Sequence, residues 1–228
     1  MRLGLFGGSF NPIHNGHLGL ARQAVEALPL DRLLFIPTGD PPHKREQALA
    51  PARDRYRMVQ LAIAGHPAFD ISDIELTRPG KSYSIDTVRE LQRRSKPGTQ
   101  LFFLIGLDAF LDFPTWRAPQ ALLELCHMVV IARPGTSFRT LATMPLLPVV
   151  SLRDLESLDA GTSRRLDIPL PTGPGIVCLA LPPSPISASD IRQRIQCGTT
   201  LANLLPPPVE SFIIQHRLYQ EDPDRTNV

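Results

Sequence analysis

Apolar positions along the chain fall into short unbroken runs, separated by stretches with helical spacing. Residues 2–6 (Arg-Leu-Gly-Leu-Phe) form such a run and predict a buried strand, which Gly7 and Gly8 are expected to break. Residues 17–25 then carry apolar side chains at helical intervals. Residues 33–36 (Leu-Leu-Phe-Ile) predict a second strand ended by Pro37, and residues 41–45 (Pro-Pro-His-Lys-Arg) a loop. A helix is expected over about 54–64, and Ser84 reads as the cap of another running towards Arg94. Residues 101–105 make the clearest strand, closed by Gly106. A short helix around 120–125 leads to a further strand at 128–131, closed by Arg133-Pro134-Gly135. The proline-interrupted segment 136–174 predicts loops and short helices, and 176–181 a last strand. Ser187-Ala188-Ser189-Asp190 has capping-box spacing and opens a helix, and Pro208 starts a final one towards Tyr219.

Strands that are apolar throughout and alternate with helices predict an α/β fold, a doubly wound Rossmann-like parallel sheet covered on both faces. No internal repeat is present. Residues 1–185 are expected to form the core, and 186–228 a small helical C-terminal subdomain of the same domain. Ligands of such sheets sit beyond the carboxyl ends of the strands. Segments 7–17, 41–44, 106–108 and 133–135 lie at those ends and are the unusual ones.

With 228 residues, 43% hydrophobic and 20% charged, the chain can bury a substantial core. Lys+Arg total 24 against 22 Asp+Glu, a formal +2. That excess is too small for a nucleic-acid scaffold, and it leaves anionic small molecules as ligands. No apolar run reaches the length of a spanning helix, and Asn11 and Pro12 stand where a signal peptide needs its apolar stretch. Three scattered cysteines without CxxC spacing suit reduced thiols, so a cytoplasmic protein with no membrane or nucleic-acid partner is expected. The 24 prolines form no low-complexity block and read as turn punctuation. Nothing in the pattern speaks to oligomeric state.

The segment Gly7-Gly8-Ser9-Phe10-Asn11-Pro12-Ile13-His14-Asn15-Gly16-His17 carries the chemistry. Paired glycines after a strand expose N–H groups to phosphate oxygens, and the following helix adds the positive end of its dipole. His14 and His17 flank a glycine at the helix entrance, so both imidazoles could face the same phosphates. A tight turn with one capping and one packed histidine is the structural alternative. A two-histidine metal site lacks a neighbouring carboxylate or cysteine, so no protein-bound metal is expected. Neither GxGxxG nor a Walker A motif is present.

GGSFNPIHNGH resembles the signature of the HxGH nucleotidylyltransferases. PPHK at 41–44, SYSIDT at 82–87, FLIGLDAFLDFPTW at 103–116, ARPG at 132–135, ISASDIR at 186–192 and the closing LLPPPVESFIIQHRLY follow in order. Together they resemble the bacterial nicotinate-nucleotide adenylyltransferases over nearly the whole chain. The resemblance implies transfer of AMP from ATP to nicotinate mononucleotide, giving deamido-NAD and pyrophosphate, with Mg²⁺ accompanying the ATP. It implies that Gly7, Gly8, Ser9 and Phe10 meet phosphates through backbone and hydroxyl donors, and that His14 and His17 hold the transferring phosphate. Lys44, Arg133 and Arg192 correspond to positions around the phosphates, beside the Ser187 cap. Gly106 and Asp108 correspond to a ribose site. Ser84, Trp116 and Arg117 correspond to a nicotinate pocket in which Trp116 stacks on the ring and the turn 115–117 offers N–H donors.

Such chemistry needs no strong base, because the attacking phosphate oxygen is already ionised near neutral pH. Competing readings keep the reaction but change the acceptor to nicotinamide mononucleotide or phosphopantetheine, or keep the fold as a non-catalytic nucleotide sensor. SYSIDT and FPTW favour the nicotinate acceptor, and the intact His14, His17, Lys44 and Arg192 favour a working enzyme. Trp116 is also an ordinary core candidate, Asp86 and Asp190 suit helix first turns, and Arg93, Arg94 and Lys96 a solvated helix end. Residues 221–228 are expected to fray.

Overall fold

The computed structural model describes residues 1–40, 49–182 and 184–220. In chain order the elements are β1 (Arg2–Gly8), α1 (Asn15–Ala27), β2 (Arg32–Pro37), α2 (Ala52–Ile63), β3 (Phe69–Ile71), α3 (Ser84–Arg94), β4 (Gln100–Gly106) and α4 (Leu107–Leu111). They continue with α5 (Pro119–Leu125), β5 (His127–Ile131), α6 (Leu152–Asp159), β6 (Arg165–Ile168), β7 (Ile176–Leu179), α7 (Ala188–Gln196) and α8 (Pro207–Gln215). Single 3-10 turns occupy Phe113–Thr115 and Phe138–Thr143.

The described strands form one seven-stranded sheet in the order β3-β2-β1-β4-β5-β7-β6. Every pairing is parallel except β6 with β7, so the expected parallel sheet carries one antiparallel edge. The chain winds outward from β1 through β2 to β3, and on the other side from β4 through β5 to β7. The winding therefore reverses between β1 and β4, where the loops at the carboxyl ends of neighbouring strands diverge and leave a crevice.

Period-two alternation sorts the strand side chains. Leu3, Leu5, Leu101, Phe103, Ile105, Met128, Val130, Ile176 and Cys178 bury one face against α3, α5 and α6. Phe6, Phe102, Leu104, Val129, Ile131, Val177 and Leu179 bury the other against α1, α2, α7 and α8. Each large apolar side chain taken fully from water contributes about 1.5–3 kcal/mol, which is why these strands tolerate almost no polar residue. Ile191 of α7 and Val209 and Ile213 of α8 share the second cluster with Phe10 and Ile13 of the β1–α1 connection. The C-terminal helices thus pack on the face that carries that connection. No helix among the described residues is long and apolar enough to cross a membrane. The three cysteines are free thiols, and burial pushes the pKa values of Cys126 and Cys178 up to about 12.

Several boundaries differ from the sequence reading. Gly7 and Gly8 do not break β1. They stay paired with Ile36 and Pro37 of β2, because a parallel ladder asks nothing of a side chain, and the turn begins at Ser9. Ser84 is not the cap of α3 but its first residue. The carbonyl of Tyr83 accepts from the N–H groups of Asp86 and Thr87, so the helix starts one residue earlier than the hydroxyl suggested. β3 and β6, of three and four residues, are too short to leave a periodic signal. α8 stops at Gln215, and Arg217 and Tyr219 turn the chain with φ of 49° and 65°. Lys44 and the 221–228 tail lie outside the described residues.

Candidate active site

The connection from β1 to α1 is built from the inside out. The Phe10 ring is buried edge-on to Phe6 (centroids 5.4 Å) and to His17 (5.2 Å), and it tilts on Phe35 (5.7 Å). Its backbone adopts φ 43°, a left-handed conformation that costs a non-glycine residue about 1–3 kcal/mol, and burying a phenylalanine offsets it. Asn11, 3% exposed, is a hub. Its Oδ1 accepts from the Ala50 N–H (3.0 Å) and the Tyr219 hydroxyl (2.9 Å), and its carbonyl accepts from Arg192 Nη1 (2.8 Å). Arg192 of α7 therefore reaches back to the glycine-rich loop.

His14 is the cap residue of α1 and His17 its third residue. The His17 N–H donates to His14 Nδ1 (3.4 Å), and the His14 N–H donates to His17 Nδ1 (3.3 Å). The rings stack with centroids 3.7 Å apart. This is a capping box made of two imidazoles. A neutral imidazole that accepts at Nδ1 carries its proton on Nε2, so each ring presents an Nε2–H donor on the side away from the helix. Gly16 is required between them: a Cβ there would lie 2.7 Å from Ser184 Oγ and 3.0 Å from His14 Nδ1. Burial first, and the Arg133 charge second, lower the pKa of His14 from 6.5 to about 4. His14 is thus neutral near pH 7.

Across the crevice, Arg133 follows β5 and pairs with Asp108 at the start of α4 (Nη1 to Oδ2, 3.3 Å). About half of each side chain is exposed, so the pair contributes little to stability and can open for a ligand. Gly106 lies beneath it, where a Cβ would collide with Asp108 Oδ1 and come within 2.9 Å of Arg133 Nε. Any larger residue at the β4 end would therefore displace this pair.

A third cluster gathers at the amino end of α3. Arg117 pairs with Asp86 (3.6 Å) and places its guanidinium 4.7 Å over the Tyr83 ring, next to Ser84. The half-buried Trp116 rests on Phe113 (5.6 Å) and edge-on to Phe103 (6.3 Å). It is partly core, as the structural alternative had it, with indole surface left over. The turn 115–117 offers fewer donors than expected. The Thr115 and Trp116 N–H groups already donate to Asp112 (2.9 Å) and Phe113 (3.0 Å). The N–H groups of Ser84 and Ile85, in the first turn of α3, have no intrahelical acceptor to use.

Ser187 caps α7 as expected, its Oγ accepting from the Asp190 N–H (3.1 Å). Asp190 directs its carboxylate to Arg194 Nε (2.8 Å), so the cap is one-sided. Phe10, His14, His17 and, through Asn11, Arg192 are thus joined around the loop 8–17, and Gly106, Asp108 and Arg133 form a second group whose Arg133 charge acts on His14. Among the described residues no cluster of three or more His, Cys, Asp and Glu could hold a metal ion.

The sequence reading overlooked Asn11, Tyr219 and Arg55. Arg55 is 1% exposed and donates to four backbone carbonyls. Its signal was present: Arg55 is in register with the buried stripe Met58, Val59, Ala62 and Ile63, at i+3, i+4, i+7 and i+8.

Residues 5–194 match the family described as Cytidylyltransferase-like. A "Probable nicotinate-nucleotide adenylyltransferase" of Geobacter metallireducens is 40% identical over 222 residues, covering 97% of this chain and 100% of that protein. One of Pelobacter propionicus is 42% identical over 223 residues, covering 98% and 100%. Among solved structures, the Plasmodium falciparum nicotinic acid mononucleotide adenylyltransferase complexed with NaAD superposes with a TM-score of 0.68 at 14% identity, covering 96% of this chain and 97% of that one. Full-length identity of this order, on the doubly wound sheet and HxGH-bearing loop described above, makes the chain a member of the cytidylyltransferase-like family and, within it, of the nicotinate-nucleotide adenylyltransferases.

Proposed function

We propose that this chain transfers AMP from ATP to nicotinate mononucleotide, forming deamido-NAD and pyrophosphate. The observation that carries the reading is the imidazole capping box, which fixes two Nε2–H donors beside a backbone loop at the sheet's switch point. A phosphate oxygen of the mononucleotide attacks the α-phosphorus of ATP. The new O–P bond forms as the bond to the β-phosphate oxygen breaks, and the electron pair leaves with pyrophosphate. His14 and His17 act as donors to the α-phosphate, not as bases, since the attacking oxygen brings its own charge. Gly7 and Gly8 let phosphates approach the end of β1, and the Phe10 N–H and the Ser9 hydroxyl hold phosphate oxygens. Arg192, Arg133 and Lys44 offset the charge gathering on pyrophosphate, and Ser187 caps the helix that carries Arg192.

Gly106 and Asp108 receive the ribose. Ser84, Trp116 and Arg117 frame the pyridine ring, with the first N–H groups of α3 facing its carboxylate. The donors on the two crevice walls are imidazoles, guanidinia and N–H groups, which suit anions and not a cation. Mg²⁺ would therefore enter as the companion of ATP and would neutralise charge on the triphosphate. Incubation with ATP, Mg²⁺ and nicotinate mononucleotide should release pyrophosphate and one equivalent of deamido-NAD, identified by its mass. Absence of both products from folded protein overturns the reading.

A further inference from the structure

Arg55, in the first turn of α2, gathers carbonyls from two connections, β1–α1 and both ends of β2–α2. Nη1 donates to Ser9 (2.7 Å), Nη2 to Thr38 (2.7 Å) and Gly39 (3.3 Å), and Nε to Ala50 (3.0 Å). In a trans peptide the carbonyl and the N–H point in opposite directions. Drawing the Ser9 oxygen inward therefore turns the Phe10 N–H outward, off the end of β1. Drawing the Thr38 oxygen inward likewise turns the Gly39 N–H towards the carboxylate of Glu75.

One peptide group is thus held at its oxygen by the buried Arg55 and turns its N–H towards the buried Glu75 carboxyl, Glu75 being 8% exposed and its pKa raised by burial. Gly39 packs so closely that a Cβ would collide with the Glu75 carbonyl. Glu75 in turn accepts from Thr87 Oγ1 (2.8 Å), on the helix α3 that begins at Ser84, and Arg78 donates to the same hydroxyl (3.0 Å).

We propose that Arg55 and Glu75 are positioning residues that join the phosphate loop at Ser9–Phe10 to the acceptor-side helix α3 through the Thr38–Gly39 peptide, so that binding on one side is felt on the other. This rests on the adenylyl-transfer reading for what the two sides bind. Neither side chain needs to touch a substrate. Glu75→Gln keeps an oxygen for Thr87 but gives the Gly39 N–H a neutral amide that can present its own donors. Arg55→Lys keeps the charge and loses the fork that serves four carbonyls.

The test compares wild type, Arg55→Lys, Glu75→Gln and the double variant. Each is checked for folding by circular dichroism and Tm, titrated with ATP·Mg²⁺ by calorimetry without acceptor, and assayed for the KM of nicotinate mononucleotide. Arg55→Lys should weaken ATP about tenfold, the scale of a lost charge-assisted bond. Glu75→Gln, although on the acceptor side, should weaken ATP about threefold or more and raise the mononucleotide KM, with the double variant no weaker for ATP than Arg55→Lys alone. Purely structural roles would lower Tm and leave ATP affinity within about twofold in Glu75→Gln, or make the two effects additive, and either result overturns the coupling. Should Arg55→Lys fail to fold, the Glu75→Gln titration decides by the same criterion. Wild-type protein that binds ATP but transfers nothing would defeat the adenylyl-transfer reading, while the ATP titrations would still decide the coupling.

Discussion

His14 and His17 cap one helix with each other's rings, each Nδ1 accepting the partner's backbone N–H at 3.3–3.4 Å. The arrangement gives one pair of residues two duties. The inner nitrogens accept the partner's backbone N–H, adding to the His17 N–H bond to the His14 carbonyl (2.9 Å), and the outer nitrogens carry the ring protons. Protonating Nδ1 would remove the acceptor, so the cap itself favours the neutral ring.

The two duties separate by substitution. Asparagine is a good cap residue but has no Nε2–H, so His14→Asn should leave stability within about 1 kcal/mol of wild type. Its kcat should fall on the order of 10²–10³, the usual cost of one preorganised donor to developing charge. Parallel Tm and kcat measurements check this, and near-normal kcat in a folded His14→Asn protein would remove the histidine from the chemistry.

The pH dependence of stability follows from the His14 pKa of about 4. Because it lies below the unfolded value of 6.5, folding is favoured most above pH 6.5, and the contribution is lost as pH falls from there through about 4. The full difference is roughly 3 kcal/mol. Urea unfolding between pH 7 and 4.5 should show wild type losing more stability than His14→Asn, and parallel profiles would contradict the assignment.

Arg192→Ala removes a guanidinium whose Nη1 holds the Asn11 carbonyl at 2.8 Å, at the foot of the phosphate loop. Its KM for ATP should rise about tenfold or more and exceed any rise for the mononucleotide, as befits a charge-assisted contact. The reverse ranking in steady-state kinetics would refute the placement.

Gly106→Ala puts a methyl where Asp108 Oδ1 and Arg133 Nε already sit. Both are ends of flexible, half-exposed side chains, so the fold should survive with a Tm change of a few degrees. The displaced Asp108–Arg133 pair should raise the KM for ATP several-fold. Unchanged kinetics would place the ribose and phosphate contacts elsewhere.

Much of this architecture was legible in the sequence, because strands buried on both faces are apolar at every position and stand out at 33–36, 101–105 and 128–131. The GGSFNPIHNGH segment announced the site because glycine pairs and polar residues at a strand end have few other uses. Arg55 and Asn11 escaped because their roles depend on loops from distant parts of the chain converging on them, which local periodicity does not record. The mutual cap escaped because histidine is an uncommon cap, although the i, i+3 spacing of His14 and His17 is that of a capping box. Ser84 misled for the opposite reason: a serine before a helical run suggests a cap, yet the Tyr83 carbonyl starts that helix.

Acceptor choice tests the central claim most directly, and one measurement reads it: kcat/KM for pyrophosphate release with nicotinate and with nicotinamide mononucleotide, side by side. The first-turn N–H groups of α3 at Ser84 and Ile85 suit a carboxylate, and an amide would turn a donor against them. One mispaired buried group costs about 1–3 kcal/mol, so nicotinate mononucleotide should be preferred by about tenfold or more. Trp116→Ala should damage both acceptors alike, since stacking does not distinguish acid from amide. Equal kcat/KM for the two mononucleotides, or no pyrophosphate from either, would contradict the account.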